Sequence, residues 1–140
     1  MKTLNVDNIE LLDIIKDLTT NNKEVELLVK GNSMLPFFRD NKTIVTLTKV
    51  KTLKKYDIIL FKYNNKVFLH RIIKITKDNI ICRGDALVSK EYITKYDVVS
   101  IVTKYKNKKV ININSKRYKL RVYLWALLRP IRKLIIKIIK

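Results

Sequence analysis

Two changes of hydrophobic period divide the 140-residue chain. Leu11, Leu12, Ile15 and Leu18 recur at helical spacing and predict a short helix over residues 6–18, with Asp7 and Glu10 at capping-box spacing near its start. From residue 24 the period falls to two: Val25, Leu27 and Val29 alternate with Glu24, Glu26 and Leu28, as in a half-buried strand. Runs rich in β-branched residues at 43–50, 57–63, 67–76, 80–83, 98–105 and 110–113 predict further strands. Asn64-Asn65-Lys66 and Lys77-Asp78-Asn79 supply turns between them. Many short strands with short connections predict a mainly β, antiparallel and partly barrel-like core. In the tail the helical period returns. Leu124, Leu127, Leu128, Ile131, Leu134, Ile135 and Ile138 form one stripe, with Arg129, Arg132, Lys133, Lys137 and Lys140 largely opposite. Pro130 kinks this helix or begins a second one. The expected organisation is an N-terminal helix and linker over 1–22, a β core over 23–114 and a basic amphipathic tail over 115–140.

Charge sharpens the reading of the tail. The chain carries 31 Lys and Arg against 12 Asp and Glu, a net charge of +19, and residues 104–140 contain no acid. Such a balance points to anionic partners or a membrane face. The uninterrupted apolar run at 122–128 is far short of the roughly 20 residues that a spanning helix needs. A basic amphipathic segment instead lies in the membrane interface, where Tyr123 and Trp125 suit the boundary and Arg129, Arg132, Lys133 and Lys137 suit anionic lipid. Core packing and membrane contact are equally good readings of 121–128, and the membrane is preferred for 131–140. The single cysteine, Cys82, excludes an internal disulfide framework and a cysteine-rich zinc site, and its apolar flanks predict a small core residue. No metal or other cofactor is expected. Richness in Lys, Ile and Asn fits an AT-rich bacterial genome. With no secretory signal in view, the default expectation is a membrane-associated protein on the cytoplasmic face.

The candidate chemistry centres on residues 29–40. Only two glycines occur in the chain, Gly31 two positions before Ser33 and Gly84 just before Asp85. Pro36 forces the backbone to turn after the serine, so Ser33 is presented at the end of an element. The only histidine, His70, falls in a β-like run. Ser, His and Asp form the set that acyl transfer needs: imidazole removes the alcohol's proton, and a carboxylate orients the imidazole. Each also has an ordinary structural reading, as a corner serine, a half-buried strand histidine and a Gly-Asp turn. Arg71 would point to the opposite face of the strand from His70, in a structural role.

The boxes G-N-S-M-L-P, Y-D-I-I-L-F, L-H-R-I-I-K-I and R-G-D-A occur in this order within about residues 25–103. This run resembles the signal peptidase I family and its relatives, the LexA-type self-cleaving proteins. The resemblance implies Ser33 as nucleophile and His70 as general base, at a position that holds lysine in bacterial signal peptidases and histidine in the archaeal and endoplasmic-reticulum type. It further implies that Asp85 supports the base, that Met34 and Leu35 help line the substrate cleft, and that the strand over 24–29 forms one wall. Gly31 stands where signal peptidases usually carry serine, which is closer to the LexA-type pattern, so the oxyanion would rest on the Ser33 N–H and the Asn32 amide. Ala86 replaces a common asparagine, and the membrane anchor usual in signal peptidases is not visible. The implied activity is a serine endopeptidase that cleaves a signal or leader segment from a precursor at a membrane. The competing reading is a non-catalytic peptide- or nucleic-acid-binding module on a decayed peptidase fold. Lys54-Lys55-Tyr56, Lys62-Tyr63 and Lys104-Tyr105-Lys106 would then stack and bind phosphate, but no nucleic-acid-binding motif accompanies them.

Overall fold

A computed structural model describes residues 4–5 and 10–139 of the chain. Helix α1 is Glu10–Thr20, and it buries Leu12, Ile15 and Thr19 along one face. The Thr19 hydroxyl donates to the Ile15 carbonyl at 2.9 Å, which satisfies it inside the core. The predicted start of this helix at Val6, with Asp7 as its cap, lies outside the described residues.

Nine strands build one mainly antiparallel sheet among the described residues. They are β1 (Leu4–Asn5), β2 (Val25–Leu28), β3 (Ile44–Thr48), β4 (Ile58–Tyr63), β5 (Lys66–Ile75), β6 (Ile80–Arg83), β7 (Glu91–Ile93), β8 (Val98–Lys106) and β9 (Val110–Asn112). The sheet runs β1-β2-β3-β8-β4-β5-β6-β7, with β9 added to β8. Its first pair is parallel, with Leu4 opposite Leu27. The other pairs are antiparallel. The partly barrel-like expectation needs correction: β1 and β7 end the path and do not pair, so the sheet stays open. Irregularities at Thr46/Leu47, Leu60/Phe61 and Ile72/Lys74 break the regular register at three places. Such shifts bend strands and increase local twist.

The β4–β5 hairpin turns at Asn64 and Asn65, both at positive φ (51° and 59°), as a tight primed turn requires. Its strands are buried on both faces, which explains their nearly continuous apolar sequence. Ile58, Leu60 and Leu69 join a large core with Leu27, Phe38 and Tyr105. Ile59, Phe61 and Ile72 join a smaller one with Cys82 and Ile93. Cys82 is fully buried, as its flanks suggested.

Helix α2 is Lys116–Leu127, with Ser115 as its N-cap accepting from the Tyr118 N–H at 3.3 Å. A 3-10 turn at Arg129–Ile131 contains Pro130 and leads into α3, Arg132–Ile139. The face that α2 buries is Tyr118, Val122 and Trp125, and not the aliphatic stripe. Leu124, Leu127, Ile131, Leu134 and Ile138 remain exposed, while Ile135 packs partly on the core. No described helix is long and apolar enough to cross a membrane.

Candidate active site

Ser33 lies in the turn that follows β2, after Gly31 at φ +85°. A side chain would be strained at that φ, which accounts for glycine there. The Gly31 N–H donates to Asp40 Oδ1 at 2.7 Å, and the Phe38 N–H closes the turn on the Met34 carbonyl at 2.9 Å. The turn is therefore tied at both ends, and Ser33 remains half-buried at its crest.

His70 sits on β5 opposite Ile59 of β4 and is 2% exposed. Its Nε2 is 3.1 Å from Ser33 Oγ, a distance over which a proton passes directly. On the other side of the ring, Nδ1 is 2.7 Å from Glu91 Oε1. Glu91 opens β7, opposite Cys82 of β6, and is buried at 5% exposure. A carboxylate there accepts a hydrogen bond from Nδ1–H, which leaves Nε2 as the acceptor facing Ser33. Phe68 packs on the imidazole with ring centroids 5.2 Å apart, and Phe61 meets it edge-on at 6.2 Å.

Gly84 closes the site from below. A Cβ placed on it would stand 2.6 Å from the Ser33 carbonyl oxygen and 3.1 Å from His70 Nε2. The backbone must therefore approach both Ser33 and His70 bare, and only glycine allows this. The Ala86 N–H donates to the same Ser33 carbonyl at 2.9 Å, and the Asp85 N–H contacts Met34 Sδ at 3.4 Å.

The Peptidase S24-like family matches residues 2–105, which include Ser33, His70, Asp85 and Glu91. The chain belongs to the Peptidase S24-like family. A comparison with curated proteins returned no match.

Within this S24-like peptidase fold, the assignment of Asp85 as support for the base is overturned. Both Asp85 carboxylate oxygens are taken by Arg71, from Nε and from Nη2, each at 2.8 Å. Arg71 Nη1 reaches the Tyr118 hydroxyl at 2.8 Å and the Tyr56 carbonyl at 2.9 Å. Burial opposes the charge on Arg71, yet the Asp85 carboxylate and Tyr118 outweigh it and hold the guanidinium above its ordinary pKa. This is a buried, bidentate ion pair on the face of β5 opposite His70. The alternation of neighbouring residues had placed Arg71 there in a structural role.

The residue that sequence reasoning missed is Glu91. Its signal was faint: an acid between Lys90 and Tyr92, one of 12 acids in a chain with 31 cations. A further correction concerns Leu35, which is 2% exposed and does not line the cleft beside Ser33. That cleft holds about 70 Å³ and is bounded by Val29, Lys30, Met34, Val67, Phe68 and Leu69 with Ser33 and His70. Asn32 is exposed next to it. Two of the tail residues assigned to the membrane face inward instead. Trp125 is 7% exposed and its Nε1 donates to the Asp85 carbonyl at 2.8 Å. Arg132 is 4% exposed, stacks over the Trp125 ring at 5.6 Å and donates to the Leu87 carbonyl at 3.3 Å. Arg129, Lys133 and Lys137 are exposed. Among the described residues no group of three or more His, Cys, Asp or Glu could hold a metal ion.

Proposed function

We propose that this protein is a serine endopeptidase that removes a signal or leader segment from a precursor, with Ser33 as nucleophile, His70 as general base and Glu91 as orienting carboxylate. The observation that carries the reading is the unbroken chain Ser33 Oγ to His70 Nε2 at 3.1 Å and His70 Nδ1 to Glu91 Oε1 at 2.7 Å. His70 takes the Ser33 proton as Oγ attacks the scissile carbonyl. The resulting imidazolium is stabilised by Glu91 and returns the proton to the leaving amine. His70 then activates the water that releases the acyl group. The Gly31 N–H is occupied by Asp40, which leaves the Ser33 N–H and the Asn32 side chain as donors to the oxyanion.

The small cleft, with Val29 and Met34 on one side and Val67 and Leu69 on the other, fits a small side chain before the scissile bond. An extended substrate would gain backbone hydrogen bonds along the strands that border it. A membrane setting is supported by the exposed Leu124, Leu127, Leu134 and Ile138 beside Lys133 and Lys137, a basic amphipathic surface that suits anionic lipid.

A fluorophosphonate that traps activated serines tests the reading directly. The wild-type chain should carry one adduct, located on Ser33 by peptide mass mapping, and Ser33→Ala and His70→Ala should carry none. An adduct of equal yield in His70→Ala would refute the mechanism.

A further inference from the structure

A second cavity, of about 430 Å³, lies among β5, β6 and α2 and shares no residue with the cleft at Ser33. Five cations line it: Lys55, Lys74, Arg83, Lys90 and Arg129. No acid lines it. The rest of its wall is largely apolar, including Ile73, Ile81 and Leu127.

Arg83 is the telling member, because it is 8% exposed. The nearby carboxylate is Asp85, and both of its oxygens are already bound by Arg71. Among the described residues the Arg83 guanidinium makes neither a hydrogen bond nor an ion pair. Arg132, close by, has a buried Nε without a partner. Burial, followed by the charges of Arg132 and Arg129, pushes Arg83 down to about 10. Arg129 and Arg132 thus lie near enough to repel the charge on Arg83, and the acid that offsets them, Asp85, is already bound by Arg71. Proteins normally pair a buried cation, because leaving it bare costs several kcal/mol. An oxyanion is the counterpart this arrangement lacks, and the guanidinium fork suits phosphate in particular.

We propose that this cavity binds a phosphate-type oxyanion, gripped by Arg83 with Lys74, Lys90 and Arg129 around it, while Ile73, Ile81 and Leu127 receive the carbon attached to the phosphate. Two sources share this chemistry, the headgroup of an anionic phospholipid and a soluble phosphate ester. The site does not depend on the peptidase reading, and Ser33→Ala should bind as the wild type does.

The test compares the full chain, Arg83→Met, a Lys74→Gln/Lys90→Gln double variant and Lys133→Gln, a control whose exposed charge lies off the cavity. Thermal unfolding is followed in inorganic phosphate against chloride at equal ionic strength. Phosphate should stabilise the wild type and Lys133→Gln alike, and should stabilise the double variant less. Arg83→Met should not respond to phosphate at all. The site is refuted if the wild type shows no phosphate-specific gain, or if the double variant and any folded Arg83→Met respond as fully as Lys133→Gln. Should Arg83→Met not fold, the double variant alone decides. Sedimentation with vesicles of phosphatidylcholine, with and without phosphatidylglycerol, then identifies the source. Removing one surface charge should weaken binding to anionic vesicles about fivefold. Loss of each charged hydrogen-bonding contact should weaken it by about tenfold or more, so the double variant should lose about a hundredfold, against about 25-fold for two surface charges alone. A deficit of the larger size in the double variant, beyond twice the control on a logarithmic scale, assigns the site to the lipid headgroup. A deficit that only matches its two lost charges assigns it to a soluble phosphate ester.

Discussion

His70 and Arg71 are adjacent on β5, are buried to the same degree, and each meets one buried carboxylate, yet the two pairs do opposite work. Arg71 and Asp85 form a closed, two-pronged pair finished by Tyr118, with no donor of the guanidinium fork turned to the cleft at Ser33. His70 and Glu91 share one hydrogen bond, and the free ring nitrogen points out to Ser33 at the cleft. One strand thus separates an ion pair that holds the loop from an imidazole that keeps one nitrogen turned to a hydroxyl at the cleft. Burial alone does not distinguish them. What does is whether the basic group keeps an unused atom facing an opening.

The comparison can be broken by experiment. His70→Ala should cost the most, about 10⁶ in the rate of acylation at Ser33, since removing the base of such a unit removes nearly all of its advantage. Circular dichroism on the same sample should show the fold retained. Glu91→Gln should follow with a loss of about 10³ to 10⁴, because the imidazole loses the group that fixes its tautomer. If Asp85→Asn lost as much rate per folded molecule and Glu91→Gln lost little, the two carboxylates would have to exchange roles. Arg71→Met reads the other side of the strand: it leaves Asp85 charged and buried without a partner, a loss of about 3–5 kcal/mol in denaturant unfolding. Its folded fraction should still label at Ser33 within about tenfold of wild type.

The smallest effect concerns Cys82, which faces the Glu91 side. Burial, and after it the Glu91 charge, raises the thiol from an ordinary 9.0 to about 12. The unfolded chain therefore gives up this proton first, and stability should decline as pH climbs from about 9 toward about 12. Unfolding titrations of Cys82→Ala should show a shallower decline over that window, and a decline equal to wild type would contradict the assignment.

Much of this was legible in the sequence because side-chain periodicity is local. The Asn64-Asn65 turn, the alternation of His70 with Arg71 and the corner at Ser33 each follow from residues a few positions apart. Glu91 was not legible, because β7 spans only Glu91–Ile93 and its one strand pairing is to β6. Asp85 was misread because its place beside glycine identifies the loop and not the direction of its carboxylate; Arg71 decides that from 14 residues away. In the tail the aliphatic stripe is read from spacing alone, whereas the face that packs is Tyr118, Val122 and Trp125, which recur at helical spacing too. Periodicity cannot rank them, whereas a Tyr hydroxyl and a Trp N–H with waiting partners favour the interior.

The Trp125 bond to the Asp85 carbonyl gives the protein a built-in optical gauge. The chain has one tryptophan, and its indole is fastened to the residue after Gly84, where a Cβ would collide with both Ser33 and His70. Its emission, with Arg132 stacked on the ring, reports on the back of the loop behind Ser33 and His70 without any label. Stopped-flow fluorescence of the native chain can therefore time what a fluorophosphonate does at Ser33 from the opposite side of that loop.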